Sequence, residues 1–186
     1  YEHYGMQLPP IVANVASAYL SAAGSTALGY TALTNANANL LETHGSPELI
    51  ERWVKPMREG RFAGTMAMTE PDCGSALGDL TTSAQLAADG QYRITGNKIF
   101  ITGGEHDLTE NIVHLVLART PQSPPGTKGI SLFIVPKFLV NDDGSLGDRN
   151  DLRAVSSEHK IGIHASPTCV MSYGDQGGAI GWLVGE

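Results

Sequence analysis

The change from helical to extended sequence patterns near residue 61 constrains the fold of this chain more than any other feature. Before that point apolar residues recur with roughly helical spacing, and after it the chain divides into short runs typical of strands. Helices and strands segregated in this way favour an α+β fold over alternating βαβ units. We therefore expect helices first and an antiparallel β domain second.

Three helices are predicted before residue 61. Pro10 fits the first turn of a helix, where a missing backbone N–H costs nothing. Gly24 and Ser25 interrupt this pattern, and Ser25 can cap a second helix that runs to about Leu41. The segment 46–57 begins with a capping Ser, a first-turn Pro and an early acid, which predicts a third helix.

Nine strands are predicted after residue 61, and an Asp-Gly pair at 89–90 indicates a hairpin turn between two of them. Residues 121–129 and 141–150 are typical of surface loops. The predicted strands are 62–69, 79–87, 91–95, 97–102, 111–119, 129–136, 152–159, 167–173 and 180–184.

Composition limits the classes of protein to which the chain can belong. It is 41% hydrophobic and 17% charged, so it can bury a core. The net charge of -7 argues against nucleic acid or an anionic membrane as the main partner. Cys73 and Cys169 have no disulfide or metal spacing, which favours a reducing, cytoplasmic setting. We find no signal peptide or long apolar run, and we expect a soluble piece of a longer protein with no membrane span.

Nucleotide and metal motifs are missing from the sequence. No Gly-x-Gly-x-x-Gly follows a strand and no Walker-type loop is present, which argues against a Rossmann oxidoreductase. The six histidines never show His-x-x-x-His spacing. Neighbours such as Glu105 and His106, or Glu158 and His159, point to opposite faces of an extended strand. We therefore predict surface or loop histidines and no metal site.

Two short segments combine residues that suit a flavin. Residues 66–75 read Met-Ala-Met-Thr-Glu-Pro-Asp-Cys-Gly-Ser, and residues 96–104 read Gly-Asn-Lys-Ile-Phe-Ile-Thr-Gly-Gly. Each is a β-rich run that ends in a Thr and a loop of small residues. Taken singly, each is also ordinary punctuation, in which Pro71 stops a strand and Gly74 permits a turn.

A flavin ring needs hydroxyl or backbone groups at its polar edge and a flat apolar partner on one face. Thr69 and Thr102 could supply the hydroxyls, which stabilise charge on the reduced ring. Phe100 could stack on the ring, although a core aromatic is an equally good interpretation of that residue alone. The pair 74–75 could bring backbone amides close to a phosphate, or form a plain turn.

The two segments, in this order and spacing, resemble the flavin-binding segments of the acyl-CoA dehydrogenase family. The resemblance covers nearly the whole chain and is greatest to the bacterial branch that includes methylmercaptopropionyl-CoA dehydrogenases. It implies that residues 1–60 end an N-terminal helical domain and that residues 61–186 are the middle β-barrel domain. Residues 158–164 and 181–186 resemble the last strands of that barrel. By this resemblance, we expect the C-terminal helical domain of the family to lie outside residues 1–186.

The resemblance also implies a cofactor, FAD, and a set of site residues. The departures from the family are Phe100 in place of a frequent Trp, Ala76 in place of Asp, and Cys73 and Asp79 in place of small residues. The residues carried over to FAD are Met66, Ala67, Met68, Thr69, Gly74, Ser75, Phe100, Ile101 and Thr102. Those carried over to the acyl-CoA are Ser75, at the CoA arm, and Leu28, Tyr30, Thr31, Leu33 and Thr34, along the acyl chain.

The implied reaction is α,β-dehydrogenation of an acyl-CoA thioester, with hydride transfer to flavin N5. In most of the family the catalytic Glu lies in the C-terminal helical domain, so we assign no catalytic residue here and expect residues 1–186 alone to be inactive. The resemblance further implies an electron-transfer flavoprotein as partner and a homo-oligomer. An acyl-CoA oxidase of the same fold and a non-catalytic binding module remain open, as do the acyl chain and the electron acceptor.

Overall fold

The structure, a computed structural model, describes residue 6 and residues 8–185. Glu186, the last residue of the segment 181–186 that resembles a final strand, lies outside the described residues.

Helix α1 spans Pro10–His44 and contains one break in its helical backbone, at Gly24 (φ -179°, ψ 100°). The predicted interruption at this residue is therefore confirmed as a kink between two helical halves. Pro10 occupies the first turn, where its missing N–H leaves no donor unpaired. Gly45 N donates to Leu41 O at 2.8 Å and ends the helix.

A second helical stretch consists of α2 (Pro47–Leu49), a π-helical turn (Ile50–Val54) and α3 (Lys55–Arg58). The Ser46 side chain accepts a hydrogen bond from Leu49 N at 3.3 Å, which satisfies one of the free amides at the start of a helix. The predicted third helix is thus confirmed.

Each predicted strand run contains strand residues, and 91–95 and 97–102 join into one long strand. Two short strands, β6 and β7, were not predicted, and β7 lies in the predicted loop 141–150. The ten strands are β1 (Phe62–Ala67), β2 (Ser83–Leu86), β3 (Tyr92–Thr102), β4 (Asn111–Ala118), β5 (Ser131–Pro136), β6 (Phe138–Val140), β7 (Leu146–Arg149), β8 (Leu152–Ser157), β9 (Thr168–Tyr173) and β10 (Ala179–Leu183).

The main sheet has the order β1-β4-β5-β10-β3-β9-β8, with β2 also paired to β3, while β6 and β7 form a separate ribbon. β1 and β4 are parallel, with Phe62 opposite Asn111, and the other described pairs are antiparallel. The predicted antiparallel arrangement is therefore correct for most strand pairs but not for β1 and β4, which make the sheet mixed. The predicted barrel is not confirmed by the strand order of the described residues. A parallel pair needs a long crossover, which local sequence patterns do not reveal.

The second half of α1 packs on the sheet and shares a hydrophobic core with α3 and strands β1, β4 and β5. Asn37 is buried in this contact, and its Nδ2 donates to Thr65 O at 3.0 Å and to Val113 O at 3.3 Å. A Cβ atom at Gly64 would lie 2.6 Å from Asn37 Nδ2, so only glycine allows this close approach. A second hydrophobic core is formed by Ile94, Phe133 and other apolar side chains of the strands.

The first half of α1 exposes apolar side chains such as Ile11 and Tyr19. By length and composition α1 is the one helix among the described residues that could cross a membrane, and its most apolar stretch is not buried. The expectation of no long apolar run therefore does not hold for α1. Such a helix is weak evidence for a membrane span, because core helices of soluble proteins and signal sequences share these properties.

Candidate functional site

The structure brings the two predicted flavin segments side by side. Ile99 N donates to Thr69 O at 2.8 Å, and Thr65 Oγ1 donates to Thr102 O at 2.6 Å. The end of β1 and the second half of β3 therefore cross at hydrogen-bonding distance. Segments that are about thirty residues apart in sequence meet at one edge.

Phe100 lies in a β-bulge at the centre of this edge. The register of β3 against β9 shifts between Lys98 and Ile101, and Phe100 has a left-handed φ of 59°. This conformation is strained for an aromatic residue, and strain of this kind concentrates at functional sites. The Phe100 side chain is 53% exposed, and Lys160 Nζ lies 5.8 Å from the centre of its ring. The core-aromatic interpretation of Phe100 is therefore wrong.

The other predicted flavin residues differ in what they offer a ligand. Met68 is exposed, and Thr69 and Thr102 are half-buried, so all three have side-chain atoms near the surface. Ala67 and Ile101 point into the hydrophobic core and can offer a ligand only backbone groups. Met66 is half-buried against the helix-facing core.

The loop that follows β1 is anchored by the buried carboxylate of Glu70. This carboxylate accepts from Thr81 N at 2.7 Å, Thr81 Oγ1 at 2.8 Å, Thr82 N at 2.9 Å and Thr82 Oγ1 at 2.6 Å. The backbones of Glu70 and Cys73 also exchange two hydrogen bonds. Both ends of the loop are thereby fixed, and Gly74 and Ser75 are exposed between them.

Lys98 completes this anchor, and sequence reasoning missed its role. Its side chain is fully buried, and Nζ donates to Glu70 Oε1 at 2.9 Å and to Met68 O at 3.0 Å. Residues spaced by two share one face of a strand, so Lys98 lies on the same face as Gly96 and Ile94. A lysine on the same face as a core Ile is the sequence feature that could have predicted its burial. A lysine in that position needs a buried acid.

The ionisation of this pair follows from its partners. Burial alone would raise the pKa of Glu70, but the hydrogen bonds from Thr82, Thr81 and Lys98 outweigh that effect and hold the pKa at about 2. Burial lowers the pKa of Lys98, and the hydrogen bond and charge of Glu70 oppose this effect. A fixed ion pair therefore lies directly behind the edge formed by the two segments.

The predicted acyl-chain residues divide into two groups. Tyr30, Thr31 and Thr34 line a cavity of about 190 Å³ between α1 and the start of β1, whereas Leu28 and Leu33 do not line it. Thr34 Oγ1 donates to Tyr30 O at 2.6 Å and accepts from Gly64 N at 2.9 Å, so this hydroxyl already binds the helix to the sheet.

The cavity contains a further residue that the sequence analysis had assigned to a surface or loop position. The rings of His106 and Tyr30 meet edge to face, with centroids 5.0 Å apart, and both residues line the cavity. Burial, and then the charge of Lys137, lower the pKa of His106, which keeps the imidazole neutral near pH 7. Tyr30 OH donates to Ala165 O at 2.9 Å and so joins α1 to the loop before β9. Ser75 does not line this cavity.

Among the described residues, no group of three or more His, Cys, Asp and Glu side chains is placed to hold a metal ion.

Comparisons with known proteins place the chain in a family. The profile of the acyl-CoA dehydrogenase middle domain matches residues 65–175. A 3-methylmercaptopropionyl-CoA dehydrogenase of Ruegeria pomeroyi is 47% identical over 185 residues, 100% of this chain and 31% of the relative. A butyryl-CoA dehydrogenase of Syntrophomonas wolfei is 43% identical over 167 residues, 89% of this chain and 27% of the relative. The crystal structure of an acyl-CoA dehydrogenase from Geobacillus kaustophilus has a TM-score of 0.64 at 29% identity, covering 80% of this chain and 35% of that one.

The chain belongs to the acyl-CoA dehydrogenase family. The predicted resemblance is confirmed, including the similarity to the branch with methylmercaptopropionyl-CoA dehydrogenases. The family is FAD-dependent. The chain spans less than a third of the length of the two named sequence relatives.

Proposed function

We propose that this chain is the FAD-binding middle region of an acyl-CoA dehydrogenase that performs α,β-dehydrogenation of an acyl-CoA thioester. The observation that carries the proposal is the crossing of the two family segments at Phe100. There a strained backbone exposes an aromatic ring beside the ends of both segments. FAD, when bound, accepts the hydride that leaves Cβ of the substrate.

The residues at this edge fit the isoalloxazine part of FAD. Phe100 presents a half-exposed flat apolar ring, and Thr69 and Thr102 place hydroxyl groups on the two crossing segments. We assign these hydroxyls to the polar edge of the ring, where they stabilise negative charge. Met66, Ala67, Met68 and Ile101 contribute backbone or side-chain contacts along the same edge. The exposed pair Gly74 and Ser75 is assigned to the pyrophosphate, and Ser75 also to the CoA arm.

We further propose the setting of this region in the whole enzyme. Residues 1–60 end a helical domain, and residues 61–186 form the family's middle β-barrel domain. The catalytic base belongs to a C-terminal helical domain. Electrons leave to an electron-transfer flavoprotein, and the enzyme is a cytoplasmic homo-oligomer.

Flavin absorbance of the purified full-length enzyme tests the proposal. A flavin that an acyl-CoA bleaches without oxygen, and that an artificial acceptor but not O2 reoxidises, is the expected result. Bleaching with peroxide production in air would identify an acyl-CoA oxidase instead. A protein without flavin would be a binding module, and the proposal would be wrong.

The acyl chain is proposed to run along α1 into the cavity at Tyr30. Tyr30→Ala enlarges this cavity, and each further buried methylene contributes about 0.8 kcal/mol, roughly a fourfold gain in kcat/KM. We expect the preferred chain length to increase. The measurement is a series of saturated acyl-CoA substrates, with Tyr19→Ala on the exposed half of α1 as the matched control. An unchanged chain-length profile in a folded Tyr30→Ala enzyme would exclude this cavity from the substrate site.

A further inference from the structure

The buried ion pair of Lys98 and Glu70 connects the two flavin segments to each other and to the loop that follows β1. One oxygen of Glu70 accepts from Lys98 Nζ, and the carboxylate also takes four donors from residues 81–82 at the far end of the loop. Lys98 Nζ also donates a hydrogen bond to the carbonyl of Met68, the residue before Thr69. A single atom, Lys98 Nζ, therefore links strand β3 to the end of β1 and to the loop.

Lys98 lies next to the bulge, so its contact with Met68 is close to the groups assigned to the flavin ring. Lys98 is the last regularly paired residue of β3 before the register shift, and Phe100 follows it by two residues. On the facing segment, Met68 O is bound by Nζ and Thr69 O is bound by Ile99 N. Two of the groups assigned to the ring are thus close to this contact along the chain: Phe100 is two residues from Lys98, and Thr69 is one residue from Met68. Movement of Nζ would move both.

We propose that Lys98 is a positioning residue for the flavin edge, acting through the Met68 carbonyl, and that Glu70 holds it in place. The inference rests on the proposed function. It assigns to the pair a role in the geometry of the bound ring that is separate from its role in the stability of the fold.

A double variant separates these two roles. Lys98→Met leaves the Glu70 charge buried without its cation, whereas Lys98→Met with Glu70→Gln removes both charges and leaves no unpaired charge buried. We expect the double variant of the full-length enzyme to unfold at a higher midpoint than Lys98→Met but below wild type, because the Gln NH2 group cannot accept the hydrogen bonds that one Glu70 oxygen takes from residues 81–82. Neither variant can donate to Met68 O. In both we therefore expect FAD to dissociate at least tenfold more readily and flavin reduction to slow at least tenfold.

Lys137→Met is the matched control for FAD affinity. Lys137 is also largely buried and paired with a carboxylate, that of Glu105, and its Nζ also donates to a backbone carbonyl, His106 O, at 2.9 Å. It lies outside both flavin segments, so its loss should lower the unfolding midpoint and leave the FAD dissociation constant unchanged.

The possible results separate the inference from the function on which it rests. A double variant that regains stability, FAD affinity and reduction rate together would overturn the positioning role and leave the proposed function intact. A Lys137→Met enzyme that loses FAD as readily as Lys98→Met would overturn it as well, because any buried lysine would then have the same effect. A wild-type enzyme that binds no FAD would overturn both.

Discussion

Two buried polar clusters of the sheet are equally shielded from water but differ in how fully their hydrogen bonds are satisfied. Lys98 and Glu70 are buried, and their charged groups have partners on three segments of chain. His114 and Tyr173 are also buried, and His114 Nδ1 lies 2.9 Å from Tyr173 OH. His114 Nε2, however, has no partner among the described residues.

The difference teaches that burial alone does not identify a polar cluster that organises a site. The ionised cluster joins the two segments of the candidate flavin edge, and its charges balance each other. The neutral cluster joins β4 to β9 inside the sheet. Burial lowers the pKa of His114 to about 3 and raises the pKa of Tyr173, so both groups remain uncharged near neutral pH. The first cluster should be sensitive to loss of a partner, and the two clusters should respond to acid over different pH ranges.

The largest expected effect is the loss of one partner from the ionised cluster. Lys98→Met strands the Glu70 carboxylate, and breaking a buried ion pair in this way costs about 3–5 kcal/mol of unfolding free energy. Urea unfolding at pH 7 measures it, with the exposed Lys128→Met as the control for loss of a surface charge. If Lys98→Met lost no more unfolding free energy than the control, the charges of Lys98 and Glu70 would not stabilise each other.

Acid sharpens the comparison, first for Glu70. Its folded pKa of about 2 lies below the ordinary value of 4.5, so its stabilisation is present above pH 4.5 and is lost as the pH falls towards 2. The full loss is about 3 kcal/mol. Unfolding free energies measured from pH 5 to pH 2.5 should therefore fall less steeply in Glu70→Gln than in wild type. Parallel curves would contradict the assigned pKa.

The neutral cluster should begin to respond at higher pH, in a window that overlaps that of Glu70 only below pH 4.5. Folded His114 resists protonation down to a pKa of about 3, whereas the unfolded residue takes up a proton below its ordinary value of 6.5. The unfolded state therefore gains protons first, and stability falls as the pH drops from 6.5 towards 3. His114 accounts for about 2 kcal/mol of the loss between pH 8 and pH 5, and His114→Gln should remove that part. The exposed His44→Gln should leave it unchanged, and a reduced loss in that control would contradict the assignment to His114.

Local features of the fold could be predicted from the sequence, because neighbouring residues determine them. The kink at Gly24, the Ser46 cap and the turn at residues 89–90 each depend on a backbone preference within a few residues. β6 and β7 were missed because they are only three and four residues long and lack a clear alternation of apolar residues. The parallel pairing of β1 with β4 was missed because partners such as Phe62 and Asn111 are distant in sequence.

The candidate site divides in the same way. The two flavin segments could be recognised because they resemble a known family, and the structure brings them together. The exposure of Phe100 could not be predicted, because a bulge interrupts the regular alternation on which a strand prediction depends. The anchor at Lys98 and the cavity lining by His106 both depend on contacts across the fold.

The left-handed backbone at Phe100 has a consequence for evolvability. A non-glycine residue in this region costs about 1–2 kcal/mol, and glycine recovers this at an entropic cost of about 0.5–1 kcal/mol. Phe100→Gly should therefore be more stable than Phe100→Ala by about 0.5–1 kcal/mol, because both variants lose the ring and only glycine relieves the left-handed backbone, while FAD binding weakens in both. If calorimetric unfolding showed instead that Phe100→Gly was the less stable of the two, the bulge would carry no strain. Relief of backbone strain alone would favour glycine here, and the presence of an aromatic ring marks a position where activity and robustness compete.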